Sequence, residues 1–346
     1  MMNAEQPSVL TATATAAKSM QSIVQERYGS SPERVLRLAS VPLPAIGRGE
    51  VLVRVRAASV DRGTWHLMAG LPYPVRAAGF GLRRPKYANP GRALAGTVEA
   101  VGADVAGLAP GDEVYGVGAA TFAEYARSRA DKLTAKPANL TFAEAATVPI
   151  SGLTALQAVR DHGQVREGRR VLVIGASGGV GSFAVQVAKA FGAEVTAVCG
   201  AGAAKAALVR SLGADEVVDH TAVDPTDGRV RYDVILDTGG NRPLSRLRRA
   251  LTATGRLVIV GGETDGRWLG GTDRQIRAQL LSPFVGQRLG SFVASENAAD
   301  LTVLRELVEA GRILPAVDRT FPLAETPAAI RHLLDGRTCG KVAVTV

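Results

Sequence analysis

The stretch VLVIGASGGVGSFAVQVAKAFGAEVTAVCG (171–200) limits what this chain can fold into more than any other segment. Val171–Ile174 is an uncharged run of the kind that forms a buried strand. Gly175, Gly178, Gly179 and Gly181 then mark a sharp turn. Val180, Phe183, Ala184, Val187, Ala188 and Phe191 recur at three- and four-residue steps, the period of a helix with one apolar face. Gly192 ends that helix, and Val195–Cys199 reads as a second strand. The spacing predicts one βαβ unit with its glycines at the strand-to-helix turn.

Glycine permits the tight turn and lets a pyrophosphate approach the backbone where a Cβ would block it. The helix start offers free N–H groups and the positive end of its dipole to phosphates. Gly181 lets the helix pack closely on the strand. Ala176 stands where G-x-G-x-x-G has its first glycine, so the motif reads A-x-G-x-x-G. The triplet alone is weak and a merely tight turn would also use it; between a clear strand and a clear helix it points to a dinucleotide. Ala176, Ser177, Gly178, Gly179 and Val180 are the candidate contacts.

At 346 residues the chain exceeds one ordinary core, and two domains are expected. A hydrophobic content of 46% beside 21% charged residues fits a soluble globular protein, and no apolar run approaches the ~20 residues of a membrane span. Residues 1–21, rich in Ala and Thr, lack the features of a signal or transit peptide and are expected to form a disordered tail. Only Cys199 and Cys339 are present, which rules out a disulfide framework or a thiolate zinc cluster. The cytoplasm is the expected compartment. The net charge of +9 raises nucleic acid as a partner, but the arginines lie scattered among alanines without aromatic interleaving. A solvated basic surface is the better reading.

Residues 22–148 read as β-rich and punctuated, with strands at Val35–Leu38, Val51–Arg56, Gly96–Gly102 and Gly111–Gly116. A short helical piece follows the strand that ends near 58, and a Pro/Gly/Arg-rich stretch, 71–92, is long enough to suggest a functional wall. From about 149 the texture becomes strand–helix alternation, with further strands at Glu216–Asp219, Asp233–Thr238, Arg256–Gly261 and Ser291–Ala294. Repeated βα units predict an α/β domain with a doubly wound parallel sheet over 149–295. Asn297–Gly311 reads as a helix, and the terminal Gly340–Val346 as a strand that rejoins the first half, so 22–148 and 296–346 form one discontinuous domain.

The order and wording of these pieces resemble the medium-chain dehydrogenase/reductase superfamily, and in detail its zinc-free quinone oxidoreductase branch, zeta-crystallin-like and reticulon-interacting. The matching segments are ASVDRGTWHLMAG (58–70), ALAGTVEAVG (93–102), GDEVYG (111–116), TVPISGLTALQA (147–158), the 171–195 unit, LGADEVVDH (212–220), LVIVGGE (257–263) and CGKVAVTV (339–346), covering nearly everything from about 22. The resemblance implies a GroES-like domain packed on a Rossmann domain, an active site in the cleft, and a homodimer joined through the last sheet strand. Zinc members carry Cys at the position of Asp61 and a His-Glu pair where this chain has Arg92 and Ala93, so three protein ligands are not available and metal-free chemistry is expected. Zinc-free relatives often carry Asn at Asp61 and Asp at Ala93, and a tyrosine where this chain has His66.

Two readings are open to His66: donor to a developing oxyanion, from a residue type that exchanges protons near neutral pH, or packing and turn capping. Asp61 is a catalytic candidate with a sufficient alternative as the N-cap of the following helix. Thr154 matches a position beside the nicotinamide or is an ordinary helix Thr. Gly261, Phe292 and Val293 are further cofactor candidates, the last two through backbone groups. His162, His332 and Cys339 carry no assigned role. Arg62, Arg76, Arg83, Arg84, Lys86 and Arg92 lie in a stretch with no acid between Asp61 and Glu99; they either attract an anionic or carrier-bound substrate or make a solvated face.

NADPH is the expected cofactor. The second strand ends Cys199-Gly200 without the acid that binds a ribose 2′-hydroxyl, and Lys205 follows at the next helix start. By the resemblance, His220 falls where NADPH-using relatives place a tyrosine on the 2′-phosphate; Lys205 is otherwise an exposed helix lysine. Three functions follow: a zinc-independent NADPH-dependent reductase of quinones or enones, an enoyl or tailoring reductase of a biosynthetic pathway, or an NADPH-binding regulatory protein with little catalysis.

Overall fold

The computed structural model describes residues 19–239, 242–261 and 266–346. The tail expected over 1–21 lies outside the described residues as far as 18, and at Ser19 a strand has begun. β1 (Ser19–Gln25) pairs antiparallel with β2 (Leu36–Pro42) across the one-turn helix α1 (Pro32–Val35). The strand expected at Val35 therefore starts one residue later. Pro32, with its φ fixed for a first helical turn, winds 32–35 before extension resumes.

The β-rich part contains β3 (Glu50–Val60), α2 (Arg62–Ala69), β4 (Ala93–Val101), β5 (Glu113–Val117), β6 (Tyr125–Arg129) and β7 (Leu133–Ala135). Helix α3 (Phe142–Gln157) follows, opened by a reciprocal capping box between Thr141 and Glu144. The domain boundary expected at 149 falls inside α3, which continues through Pro149.

Strand–helix alternation then runs β8 (Arg170–Ile174), α4 (Gly179–Ala190), β9 (Glu194–Cys199), α5 (Ala203–Ser211), β10 (Glu216–Asp219), β11 (Tyr232–Asp237), α6 (Leu244–Arg249), β12 (Leu251–Ile259), α7 (Thr272–Leu281) and β13 (Arg288–Ser291). The sheet order is β10-β9-β8-β11-β12-β13 with every pair parallel, a doubly wound Rossmann sheet whose order reverses beside β8. The last strand stops at Ser291, so Phe292–Ala294 lie beyond it. Phe292 stacks on the His162 ring at 4.1 Å instead of continuing the ladder.

The chain ends with α8 (Ala298–Glu309), β14 (Val317–Pro322), α9 (Thr326–Leu334) and β15 (Lys341–Thr345). β15 pairs antiparallel with β3, Val342 opposite Val60, which returns the C-terminus to the first sheet, ordered β14-β15-β3-β4-β5-β7 with β6 on β3. One core serves both sheets: Ala57, Ala95 and Tyr115 share a cluster with Val148 and Leu156 of α3 and with Val173 and Leu236. Among the described residues no helix is long and apolar enough to cross a membrane.

The α4–β8 junction depends on Gly181, where a Cβ would overlap the Gly175 carbonyl. Gly290, in β13, has nothing within 4 Å of that position. Gly181→Ala is expected to lower the unfolding free energy by about 1–3 kcal/mol, because the backbone must shift to admit the methyl. Gly290→Ala should cost little, and urea denaturation of the two variants compares them directly.

Candidate active site

Gly175, at φ +83°, turns the chain out of β8, and Gly175 N–H and Ala176 N–H both donate to the Val198 carbonyl. Gly178 is the N-cap of α4, and no side chain caps it, so the first N–H groups of the helix stay open above β8. Only the Gly175 carbonyl, at 3.3 Å, comes near the Cβ position of Gly178, leaving a shallow cradle. Ala176 and Ser177 are buried, and the Ser177 carbonyl accepts from Gly340 N–H at 2.8 Å. Val180 turns inward, partly buried against the shared core. Open N–H groups, a dipole and a cradle without side chains fit a dinucleotide diphosphate.

At the end of β9 the structure brings three candidates together. A Cβ on Gly200 would lie 3.7 Å from His220 Nε2 and 3.8 Å from Lys205 Nζ. Lys205 Nζ also donates to the Gly336 carbonyl at 3.0 Å, which holds it over this point. The sequence reading missed one neighbour: Asp219 ends β10 directly opposite Cys199. Its carboxylate accepts from Thr221 N–H at 2.9 Å and Thr221 Oγ1 at 2.7 Å, bonds that hold it below the usual carboxylate range.

Gly261, two residues past β12, packs on the Thr238 backbone, where a Cβ would come within 2.5 Å of the carbonyl oxygen. Its own carbonyl accepts from Arg274, which also bonds the Arg242 carbonyl and pairs with the fully buried Asp237 at 2.6 Å. This buried pair, invisible to sequence spacing, fixes α7 to the C-terminal ends of β11 and β12. Val293 is 96% exposed, so neither it nor Phe292 holds the strand position assigned to it. Thr154 Oγ1 donates to the Ile150 carbonyl of its own helix at 2.7 Å.

In the β-rich domain, Asp61 caps α2: Oδ1 accepts from Thr64 N–H at 3.0 Å, while Oδ2 is buried without a hydrogen-bond partner. His66 Nδ1 lies 2.8 Å from the Leu71 carbonyl. A carbonyl only accepts, so Nδ1 carries the proton, and a neutral His66 can only accept at Nε2. Donation to an oxyanion requires the doubly protonated ring. Leu71 leads into a segment that docks on the other domain, with Tyr73 N–H bonded to the Arg267 carbonyl and its ring edge-on to Trp268 at 5.2 Å.

The 71–92 stretch does wall a pocket, lined by Phe80, Tyr87, Gly91 and Arg92 together with Leu67 and Ala120. Two of its cations are engaged. Arg76 lies 4.4 and 4.9 Å from the Tyr28 and Tyr73 rings and donates to the Gly70 carbonyl. Arg92 makes two bonds to Glu296, at 2.7 and 2.9 Å, and Lys132 joins the same carboxylate. Arg83, Arg84 and Lys86 are exposed, so the rest of the stretch keeps a solvated basic face. A zinc ion does not fit the donor set: Asp61 is capping, Arg92 is ion-paired, and among the described residues no group of three His, Cys, Asp or Glu side chains is placed to hold a metal.

A Rossmann sheet with an open diphosphate turn, joined to a β-rich domain that carries an apolar pocket, defines a nicotinamide-dependent oxidoreductase. Two family models match the chain, an alcohol dehydrogenase GroES-like domain over 47–158 and a zinc-binding dehydrogenase over 212–344. The mouse protein NAD(P)H oxidoreductase RTN4IP1, mitochondrial (Mus musculus), is 34% identical over 96% of this chain and 91% of its own length. Quinone-oxidoreductase QR1, chloroplastic, of Triphysaria versicolor is 30% identical over 95% and 99%. The solved quinone oxidoreductase of Coxiella burnetii superposes with a TM-score of 0.82 at 27% identity, covering 95% of this chain and all of that one. The chain belongs to the medium-chain dehydrogenase/reductase superfamily, beside its quinone oxidoreductases.

Removing one partner of a buried ion pair leaves the other charge without compensation. Asp237→Ala is expected to lower the unfolding free energy by about 3–5 kcal/mol and to loosen α7. Urea denaturation and hydrogen exchange across 272–281 measure the two effects.

Proposed function

We propose that the protein is a metal-independent, NADPH-dependent reductase of quinones or similarly activated enones. The observation that carries this reading is Arg92, which lines the pocket where zinc relatives place a ligand and is ion-paired to Glu296. Without a Lewis acid to polarise an ordinary ketone, the acceptor must bring its own activation, as a quinone or conjugated carbonyl does. The bound nicotinamide supplies a hydride. The open N–H groups at Gly179 and Val180, the first of α4, hold the diphosphate, and Lys205 and His220 flank Gly200 to take the 2′-phosphate. Asp219 is a carboxylate near the same point, held on Thr221, and its charge is one that Lys205 and His220 must outweigh. Leu67, Phe80 and Tyr87 offer a flat acceptor an apolar wall. His66 anchors Leu71 and, when doubly protonated, can also donate.

The test is cofactor oxidation against a quinone and enone panel in the presence of a strong chelator, with dissociation constants for NADPH and NADH. Turnover is expected to survive chelation, with NADPH preferred by about ten- to hundred-fold through one charge-assisted contact. Lys205→Ala should erase most of that preference. A chain that binds NADPH but reduces none of the acceptors would favour a regulatory role. Activity lost with a stoichiometric metal would remove the metal-free reading.

We further infer a homodimer seamed along β13, the unpaired edge of its sheet. Near it Leu280, Phe284 and Val293 are 67%, 83% and 96% exposed, a concentration of apolar surface that a partner would cover. Sedimentation is expected to give twice the chain mass, and Phe284→Asp to shift it toward the monomer.

A further inference from the structure

Lys341 is a lysine where burial is least favourable. It opens β15, is 2% exposed, and donates from Nζ to the Val60 carbonyl at 3.0 Å. An ammonium has three N–H groups, and among the described residues Val60 is the only hydrogen-bond partner of this one. Its surroundings are those of the cofactor turn. A Cβ on Gly179 would lie 3.0 Å from Lys341 Cδ and 3.9 Å from Nζ, with Ser151 Oγ at 3.2 Å. The preceding residue, Gly340, is tied to Ser177 of the same turn. On the other side stands Asp61, with its buried, unpartnered Oδ2. Burial pulls the Lys341 ammonium below its ordinary range, and only the charge of Asp61 opposes that. A cation so placed costs stability, and an apolar chain of equal length would fill the space at lower cost.

We propose that Lys341 is the cation of the diphosphate seat: its ammonium stands at Gly179 and offsets the phosphate charge that the open N–H groups of α4 bind. Asp61 is then the counter-charge that keeps the site balanced before the cofactor arrives. The inference rests on the reading of this turn as a dinucleotide site and assigns the site its missing charge. The N–H groups supply direction and partial charge only, whereas a diphosphate brings two full negative charges.

The experiment compares NADP+ with 2′-AMP, which has the adenine and 2′-phosphate but no diphosphate, by titration calorimetry on wild type, Lys341→Met and Lys341→Gln. Both variants are expected to lose about tenfold or more in NADP+ affinity while 2′-AMP binding stays within about twofold. The melting temperature of Lys341→Met should hold or rise. Lys341→Gln keeps a donor for Val60 and loses only the charge, so it decides the matter if the methionine variant does not fold. Equal NADP+ affinity in wild type and variants overturns the inference alone, as does equal loss of both ligands with a lower melting temperature, the mark of a structural lysine. If wild type prefers NAD+, the same comparison runs with NAD+ against adenosine and the 2′-phosphate reading fails by itself. A wild type that binds no dinucleotide overturns the cofactor reading and this inference together.

Discussion

Helix α4 meets β8 so closely at Gly181 that no side-chain atom fits between the helix and the Gly175 carbonyl. That approach aims the first N–H groups of α4 out over the centre of the sheet, at the point where strand order reverses. A bulkier residue would lift the helix and tilt those groups away. Gly200, Lys205 and His220 are grouped one strand over, at the end of β9, where the far end of a dinucleotide would extend. On the proposed reading the cofactor site is thus a consequence of one backbone contact, with side chains added at its edge.

The two domains meet at that contact. Gly340 bonds Ser177, Lys341 packs from β15 against Gly179, and α3 fills the space between the sheets as part of one continuous core. Asp61 stands just past the end of β3, next to the strand that Lys341 bonds. The junction therefore couples the start of α2, with its pocket residue Leu67, to the diphosphate turn. A further bridge runs from His66 through Leu71 and Tyr73 to Arg267 and Trp268. These bridges enter the cleft from two directions.

Much of this was legible because parallel strands buried on both faces read as continuous apolar runs, as Val171–Ile174 and Val195–Cys199 do. What failed had local causes. Val35 carries strand propensity, but Pro32 winds it into a helical turn. Phe292–Ala294 continues an apolar run past the end of the ladder, where the Phe292 ring finds His162 instead. Lys341 was invisible as a site because a lysine opening a strand reads as a surface residue. The signal available was the run after it, Val342–Val344, buried throughout, in a strand paired on both sides. Arg76 misled in the opposite sense: its charge was counted as free, yet two tyrosine rings and a carbonyl hold it.

The position of Arg92 carries the chemistry furthest. A guanidinium is always charged and offers donors only, so it cannot serve as a metal ligand; it can orient an acceptor oxygen or hold another part of the protein. Here Glu296 takes two of its bonds, and Lys132 shares that carboxylate, so Arg92 is a brace between the pocket and the segment leading into α8. A braced arginine polarises a carbonyl weakly, because its charge is already compensated. The pocket it lines is otherwise mostly apolar, built of Leu67, Phe80, Pro85, Pro90, Ala119 and Ala120 beside Tyr87, Asn89 and Gly91. Such a lining supplies no strong acid of its own. On the proposed reading, stabilisation of the incipient negative charge comes mainly from the acceptor's own conjugation, the property that sets a quinone apart from an isolated ketone.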